Sequence, residues 1–200
     1  MIKDAQNKYP LNELSRTRWS PRAFSDQPVE RVKLQSLFEA ARWAPSGGNE
    51  QPWNFMLGIH PGDTWRKILE TLDTGNQAWA KNVPVLLLCI GKETRGKRNV
   101  KNGWFAYDTG QAVAHLTFEA RNQGLYVHQM AGFDQASAVR LFRIPDDYQP
   151  LTVIALGYLG NPDSLTEDQK KSELSARTRK DFDDFVFSGV FGQKTDLFYF

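Results

Sequence analysis

Two alternating periods of apolar residues run along this chain, and their order sketches an α+β fold. Alternation with period two through Trp53, Phe55, Leu57 and Ile59, with Asn54, Met56 and Gly58 between, predicts a strand. Val83-Pro84-Val85-Leu86-Leu87-Leu88-Cys89-Ile90 is apolar throughout and predicts a strand covered on both faces. Leu125–Met130 and Leu151–Leu159 predict two more extended segments. Helical spacing relates Val32, Leu34, Leu37, Phe38 and Ala41, from capping candidates in Ser25-Asp26-Gln27-Pro28 through Trp43 to a stop at Pro45. Trp65, Ile68, Leu69 and Leu72 follow the turn Pro61-Gly62-Asp63 as a short helix, which Thr74-Gly75-Asn76 breaks. The longest helical pattern runs from Trp104 to Gln123, with Gly124 as its C-cap. Its small residues Ala106, Gly110, Ala112 and Ala114 would admit a closely packed neighbour.

Shorter features complete the picture. A short helix is expected over Leu11–Ser15, and Asp134, in the turn Ala131-Gly132-Phe133-Asp134, caps a helix ending near Ile144-Pro145. Asn161–Lys171 reads as a polar loop. The end is aromatic: Phe182, Phe185, Phe187, Phe191, Phe198, Tyr199 and Phe200. So apolar a tail is expected to pack on the body of the protein or on a partner subunit. With no internal repeat or clear linker, residues 1–200 read as a single domain, with a lead-in at 1–13 and a tail at 181–200.

Composition narrows the function. The chain is 40% apolar and 12% aromatic, and that aromatic share suits a flat ligand or a large apolar interface. A net charge of +2 gives no ground for nucleic acid or an anionic membrane as partner. No apolar run is long enough to span a membrane, and the polar N-terminus lacks the apolar centre of a signal peptide, so a soluble, cytoplasmic protein is expected. Cys89 is the sole cysteine, which excludes an intramolecular disulfide, and its apolar run implies a buried, inert thiol. His60, His115 and His128 are too scattered for a metal site, and His115 reads as a packed or hydrogen-bonded histidine. No dinucleotide, P-loop or nucleophile-elbow pattern is present, and Ser188 lacks the glycine frame of the last. Capping and exposure account for Asp26 and Glu50.

Three stretches carry candidate chemistry, each with two readings open. Pro45-Ser46-Gly47-Gly48-Asn49-Glu50-Gln51-Pro52 joins a helix to a strand. It is either an ordinary turn or a ligand-facing loop, with glycines for close approach and Ser46, Asn49 and Gln51 for the edge of a heteroaromatic ring. Arg16-Thr17-Arg18-Trp19-Ser20-Pro21-Arg22 is a solvated basic turn or a phosphate site built from guanidinium forks and hydroxyls. Gly91–Gly103, with Lys92, Arg95, Lys97, Arg98 and Lys101 against Glu93, is a mobile polar loop or a binder of an anionic substrate or of the phosphates of a nicotinamide donor. Arginine clusters, a glycine loop, many aromatics and no nucleophile or metal set together suit a phosphate-bearing planar cofactor that carries the reaction itself.

With these residues the chain resembles the flavin-dependent (FMN) nitroreductase family, from about Leu14 to about Val190. Three matches carry the resemblance. They are Arg18-x-Ser20-x-Arg22 followed by Phe24, Ala40 through Trp53, and the long helix with Asp108 ending at Gly124-Leu125, followed by Gly132-Phe133-Asp134 and Gly157-Tyr158. The resemblance implies a small mixed, mostly antiparallel sheet flanked by helices, in an intertwined homodimer with FMN at the interface. Arg18 and Ser20 would then hold the FMN phosphate, and Arg22 the phosphate or the pyrimidine edge. Pro45, Ser46, Gly47, Asn49 and Gln51 would come from the other subunit. Asn76 would contact the ribityl chain or pyrimidine, Gln129, Met130, Ala131 and Gly132 would lie along the ring, and Arg177 and Arg179 would complete the phosphate site. Many members carry an acidic residue where this chain has Ala131, so a backbone N–H would have to serve there.

The activity implied is reduction of nitroaromatic or quinone-like acceptors by NAD(P)H in a ping-pong reaction through one pocket. Trp104, Tyr107 and Phe133 are candidate walls of that pocket, with core packing as the alternative for each. Other readings are a non-enzymatic flavin-binding or sensor protein, and a dehalogenase-like or flavin-fragmenting member of the same superfamily. A polyanion binder acting through the basic loop is a fourth.

Overall fold

In the computed structural model residues 3–198 are described; Met1 and Ile2 of the lead-in and Tyr199 and Phe200 of the tail lie outside them. The chain builds a four-stranded sheet in the order β1-β2-β6-β5. Its strands are β1 (Trp53–Ile59), β2 (Val85–Lys92), β5 (Tyr126–Met130) and β6 (Tyr148–Gly157). Every pairing is antiparallel, with a register shift between Cys89 and Ile90 where β2 meets β6. A separate two-stranded ribbon joins β3 (Thr94–Arg95) to β4 (Val100–Lys101).

Alternation along the central strands divides the core in two. Leu86, Leu88 and Ile90 of β2 and Val153 and Ala155 of β6 face one cluster, with Trp65, Ile68, Trp79 and Ala138. That face is covered by α3 (Asp63–Thr71), α4 (Thr74–Ala80) and α6 (Gln135–Phe142). Val85, Leu87 and Cys89 of β2 and Ile154 and Leu156 of β6 face the other cluster, with Leu34, Leu37, Leu116 and Ala120. There α2 (Arg31–Arg42) lies against the 18-residue α5 (Phe105–Asn122). The twofold burial predicted for residues 83–90 follows from this sandwich, and burial lifts the Cys89 thiol to about 12.

Several expectations give way to tertiary constraints. The first helix, α1, spans Glu13–Thr17 rather than 11–15, because the Asn12 side chain caps it at Ser15 N. α2 begins at Arg31, not at Ser25–Pro28: Ser25 N–H bonds the Tyr158 carbonyl and Gly160 N–H bonds Ala23, so this stretch pairs with the end of β6 instead. Val32 and Trp43 are 66% and 70% exposed, off the buried stripe formed by Leu34, Leu37 and Ala41. On edge strand β1 it is Gly58 that is buried, against the Trp65 backbone of α3, while Leu57 and Ile59 are exposed. Thr74-Gly75-Asn76 does not end a helix; it is the first turn of α4, whose N-cap Asp73 accepts from Asn76 N–H. The polar stretch 161–171 contains a 3-10 turn at Pro162–Ser164 and the start of α7 (Glu167–Leu174). A Thr166–Gln169 capping box starts α7, and since it buries only Glu173, no apolar period marked it. His115 is exposed on α5 rather than packed.

The two ends of the chain meet. Phe182 stacks on Phe198 at 4.2 Å between ring centroids, and both rings contact Tyr9 of the lead-in. Phe185 and Phe191 stay exposed. No described helix is long and apolar enough to cross a membrane.

Candidate functional site

The predicted site residues fall into two groups. The first assembles along β5 and the turn that follows it, where Trp19 packs on Tyr126 and Pro21 meets His128. The irregular segment from Arg18 to the bend at Arg22 carries Arg18, Ser20 and Arg22, and Arg18 Nη1 reaches Ser20 Oγ at 3.5 Å. Arg177 and Arg179, more than 150 residues later, arrive at the same place. Burial, and then the Arg177 and Arg179 guanidiniums, push the Arg18 guanidinium below its ordinary value. None of these four arginines has a carboxylate ion pair among the described residues. Arg177 is held by two backbone acceptors, the Lys3 carbonyl at 2.9 Å and the Arg16 carbonyl at 3.0 Å. Among the described residues Arg179 donates only to its neighbour, the Thr178 carbonyl. Both line a groove of about 740 Å³ between lead-in and tail, with Tyr9, Leu11, Phe182 and Phe185.

Glu173 sets this frame. Its carboxylate is 2% exposed and accepts from Arg22 N–H and Ala23 N–H at 3.0–3.1 Å. It fixes the arginine segment through the backbone and leaves the guanidinium groups unneutralised. Nothing near Glu173 in the sequence announces the role, which depends on a contact across 150 residues.

A ring of contacts ties this cluster to the other candidates of the group. His128 Nδ1–H donates to the Pro21 carbonyl at 2.8 Å, joining β5 to the arginine segment. Burial, the larger cause, holds His128 down to about 4 and therefore neutral. Arg22 Nη1 reaches Ser172 Oγ at 3.4 Å, and Gln169 Nε2 reaches the Gly75 carbonyl at 3.4 Å, joining α7 to both neighbours. Asn76 Nδ2 donates to the Gly132 carbonyl at 3.1 Å and Asp73 N–H to the same oxygen at 3.0 Å, which closes the ring. A Cβ at Gly132 would run into the Asp73 carboxylate and come within 2.9 Å of the Asn76 amide, so a side chain there would displace these two groups. Gln129 and Ala131 are exposed, whereas Met130 is 2% exposed in the core and can offer only its backbone. Sequence reasoning missed Asp73, both as the N-cap of α4 and as a neighbour of Gly132.

The second group is the loop after α2. Gly47–Asn49 makes a 3-10 turn with Gly48 at φ 60°. Asn49 and Gln51 also hold positive φ, 57° and 49°. That conformation is unfavourable for a non-glycine residue by about 1 kcal/mol or more, and such strain concentrates at functional sites. Ser46 Oγ accepts from Gln51 N–H at 3.0 Å, and Gln51 Nε2 donates to the Asn49 carbonyl at 3.1 Å. The buried Asp108 carboxylate of α5 accepts from Gly47 N–H at 3.1 Å and anchors the loop. Pro45, Gly47, Asn49 and Gln51 are exposed. Trp104 and Tyr107, 63% and 64% exposed, stand at the start of α5 with ring centroids 6.3 Å apart. Phe133 is elsewhere: it bridges Leu72 and packs on the α3 side of the sheet.

The two groups sit at opposite edges of the sheet, since the loop enters β1 and the Gly132 turn leaves β5. Three inter-strand steps separate those edges, about 14 Å. One gathers cations suited to a phosphate. The other presents donors, acceptors and strained backbone suited to the edge of a ring. Neither contains a nucleophile with an adjacent base, and no group of three metal-ligating side chains occurs among the described residues.

Known proteins share this fold. The model of the nitroreductase family matches residues 15–72 and 64–158. A solved structure described as an oxidoreductase containing FMN superposes with a TM-score of 0.87, at 34% identity over 94% of this chain and 96% of that one. A protein of Xanthomonas oryzae pv. oryzae, provisionally named an NADH dehydrogenase/NAD(P)H nitroreductase, is 27% identical over 183 residues, covering 82% of this chain and 92% of its own. One of the same provisional name from Streptomyces coelicolor is 25% identical over 167 residues, 74% of this chain and 81% of its own. The chain belongs to the nitroreductase family.

Proposed function

We propose that this protein is an FMN-dependent oxidoreductase that takes electrons from NADH or NADPH and passes them to a flat, electron-poor acceptor such as a nitroaromatic or a quinone. We further propose that it works as a homodimer in which each flavin site is shared by two subunits. The observation that carries the reading is the convergence of Arg18, Arg177 and Arg179 beside Ser20, with no carboxylate among the described residues paired to them. Three unpaired cations repel one another, and a dianionic phosphate is the partner that turns this repulsion into binding. When bound, FMN supplies the two-electron chemistry, so the protein needs no nucleophile of its own.

The residues divide the remaining work. Arg18, Ser20, Arg22, Arg177 and Arg179 hold the phosphate, Asn76 orients the ribityl chain or pyrimidine, and the backbone from Gln129 to Gly132 runs beside the ring. The donors and acceptors of Pro45, Ser46, Gly47, Asn49 and Gln51 come from the second subunit, because one copy keeps them at the far edge of its sheet. The exposed apolar residues of α2 and α5, Val32, Trp43, Tyr107 and Phe118, are a face that a second copy would cover. Trp104 and Tyr107 would flank the acceptor.

Two-substrate kinetics with a benzoquinone test the reading. Alternate use of one pocket predicts parallel reciprocal plots, and a dimer in sedimentation. Intersecting plots from a monomer would overturn it.

A further inference from the structure

The ribbon β3–β4 is not used by the flavin reading. Its segment Thr94–Lys101 carries Arg95, Lys97, Arg98 and Lys101 and no acidic residue, in a chain whose net charge is only +2. All four cations are exposed, and none has an ion pair among the described residues. Lys92, at the base, is by contrast paired with Asp147 at 4.0 Å. The ribbon is anchored. Asn102 N–H bonds the Glu93 carbonyl at 2.7 Å, and Thr94 Oγ1 reaches Asp147 at 3.2 Å. At its tip Gly96 N–H donates to the Glu50 carboxylate at 3.1 Å, within the strained loop that carries Asn49 and Gln51. Glu50 keeps its charge but forms no ion pair with the ribbon's cations among the described residues, and those cations face solvent. Trp104 and Tyr107 follow within six residues of the ribbon's end.

A positive strip fixed to the ring-facing loop, with exposed indole and phenol rings beside it, has the chemistry of a site for a phosphorylated adenosine: cations for phosphate oxygens and aromatic faces for the base. We infer that the β3–β4 ribbon is the recognition element for the adenosine 2′-phosphate of NADPH, and that the enzyme prefers NADPH to NADH. This rests on the flavin oxidoreductase reading above. The 2′-phosphate adds close to two negative charges at neutral pH, which four unpaired cations meet and which NADH lacks. Attraction between exposed charges weakens with salt, so the preference should shrink as ionic strength rises.

The test uses the full-length protein with FMN and two fragments of the donor, 2′,5′-ADP and 5′-AMP, titrated by calorimetry at low salt. The wild type should bind 2′,5′-ADP at least about tenfold more tightly than 5′-AMP, the factor expected of one charge-assisted contact. Lys97→Glu/Arg98→Glu should abolish the difference, and the swap Lys97→Arg/Arg98→Lys should keep it. Lys67→Glu/Lys81→Glu makes the same change in net charge away from the ribbon and should also keep it. Equal binding of the two fragments by the wild type would overturn the inference. So would an equal loss in the ribbon and control variants, which would mark a diffuse field. Flavin bleaching by NADH separates the two readings. If NADH reduces the protein while the fragments bind alike, only the ribbon's role fails. If the protein neither holds FMN nor is reduced by NADH, the underlying reading fails and this one with it.

Discussion

Gly47 donates its backbone N–H to Oδ2 of Asp108 at 3.1 Å, across 61 residues of sequence. The bond fixes the loop after α2 to the first turn of α5, where Asp108 is 4% exposed. Removing the acceptor frees a glycine-rich loop that already holds unfavourable dihedrals at Asn49 and Gln51. Asp108→Ala should therefore cost about 2 kcal/mol of stability and at least about tenfold in FMN affinity, whereas Asp108→Asn, which keeps an acceptor oxygen, should cost less in both. Thermal melts and FMN titration read the two effects.

Asn49 separates side-chain chemistry from backbone strain. At φ 57° glycine is at ease and alanine is not. Asn49→Gly should retain stability and lose roughly tenfold in FMN affinity, because the amide is gone. Asn49→Ala should lose the same affinity and about 1 kcal/mol of stability besides. Equal FMN affinity in the wild type and Asn49→Gly would show that only the loop backbone matters.

The two C-terminal arginines should behave differently. Arg177 bonds the Lys3 and Arg16 carbonyls, so Arg177→Ala should lower both stability and FMN affinity. Among the described residues Arg179 bonds only the Thr178 carbonyl, so Arg179→Ala should weaken FMN by about 10- to 100-fold and leave the melting temperature of the flavin-free protein unchanged or slightly higher, as mutual repulsion is relieved. Inorganic phosphate should raise that melting temperature in the wild type and much less in Arg18→Ala/Arg179→Ala.

Acid should destabilise the fold through His128. Its folded value, about 4, lies below the ordinary 6.5. Between these values the unfolded chain binds a proton that the native one refuses, so stability falls as pH drops from 6.5 toward 4, by up to about 3 kcal/mol. Above 6.5 the residue contributes no slope. In His128→Gln, whose amide can still donate to the Pro21 carbonyl, urea midpoints between pH 4 and 6.5 should vary less than in the wild type.

Elements with strong periodicity were legible in the sequence, and those fixed by distant partners were not. β2, β5, β6, α3, α5 and α6 follow from apolar spacing and from the caps at Asp134 and Gly124. α4 and α7 escaped for different reasons. The Gly75 in the first turn of α4 reads as a breaker until Asp73 is seen to cap it, and α7 lies on the surface with no apolar stripe. The late start of α2 could not be read locally, because the pairing of residues 23–25 with 158–160 decides it. The arginines and the glycine loop stood out by composition. Their supports, Glu173, Asp108, Asp73 and His128, act through contacts spanning 59 to 151 residues where they touch the site. Sequence spacing cannot show such contacts.

The central claim is that the arginine cluster and the Asn49 loop hold an FMN that nicotinamide donors reduce. Its most direct test is the visible spectrum of the FMN-loaded protein before and after anaerobic addition of NADH or NADPH. The account predicts one tightly held flavin per subunit, whose absorbance near 450 nm bleaches far faster than that of free FMN and returns when a quinone is admitted. A protein that ignores added FMN, or a bound flavin that neither donor reduces faster than free FMN, would contradict it.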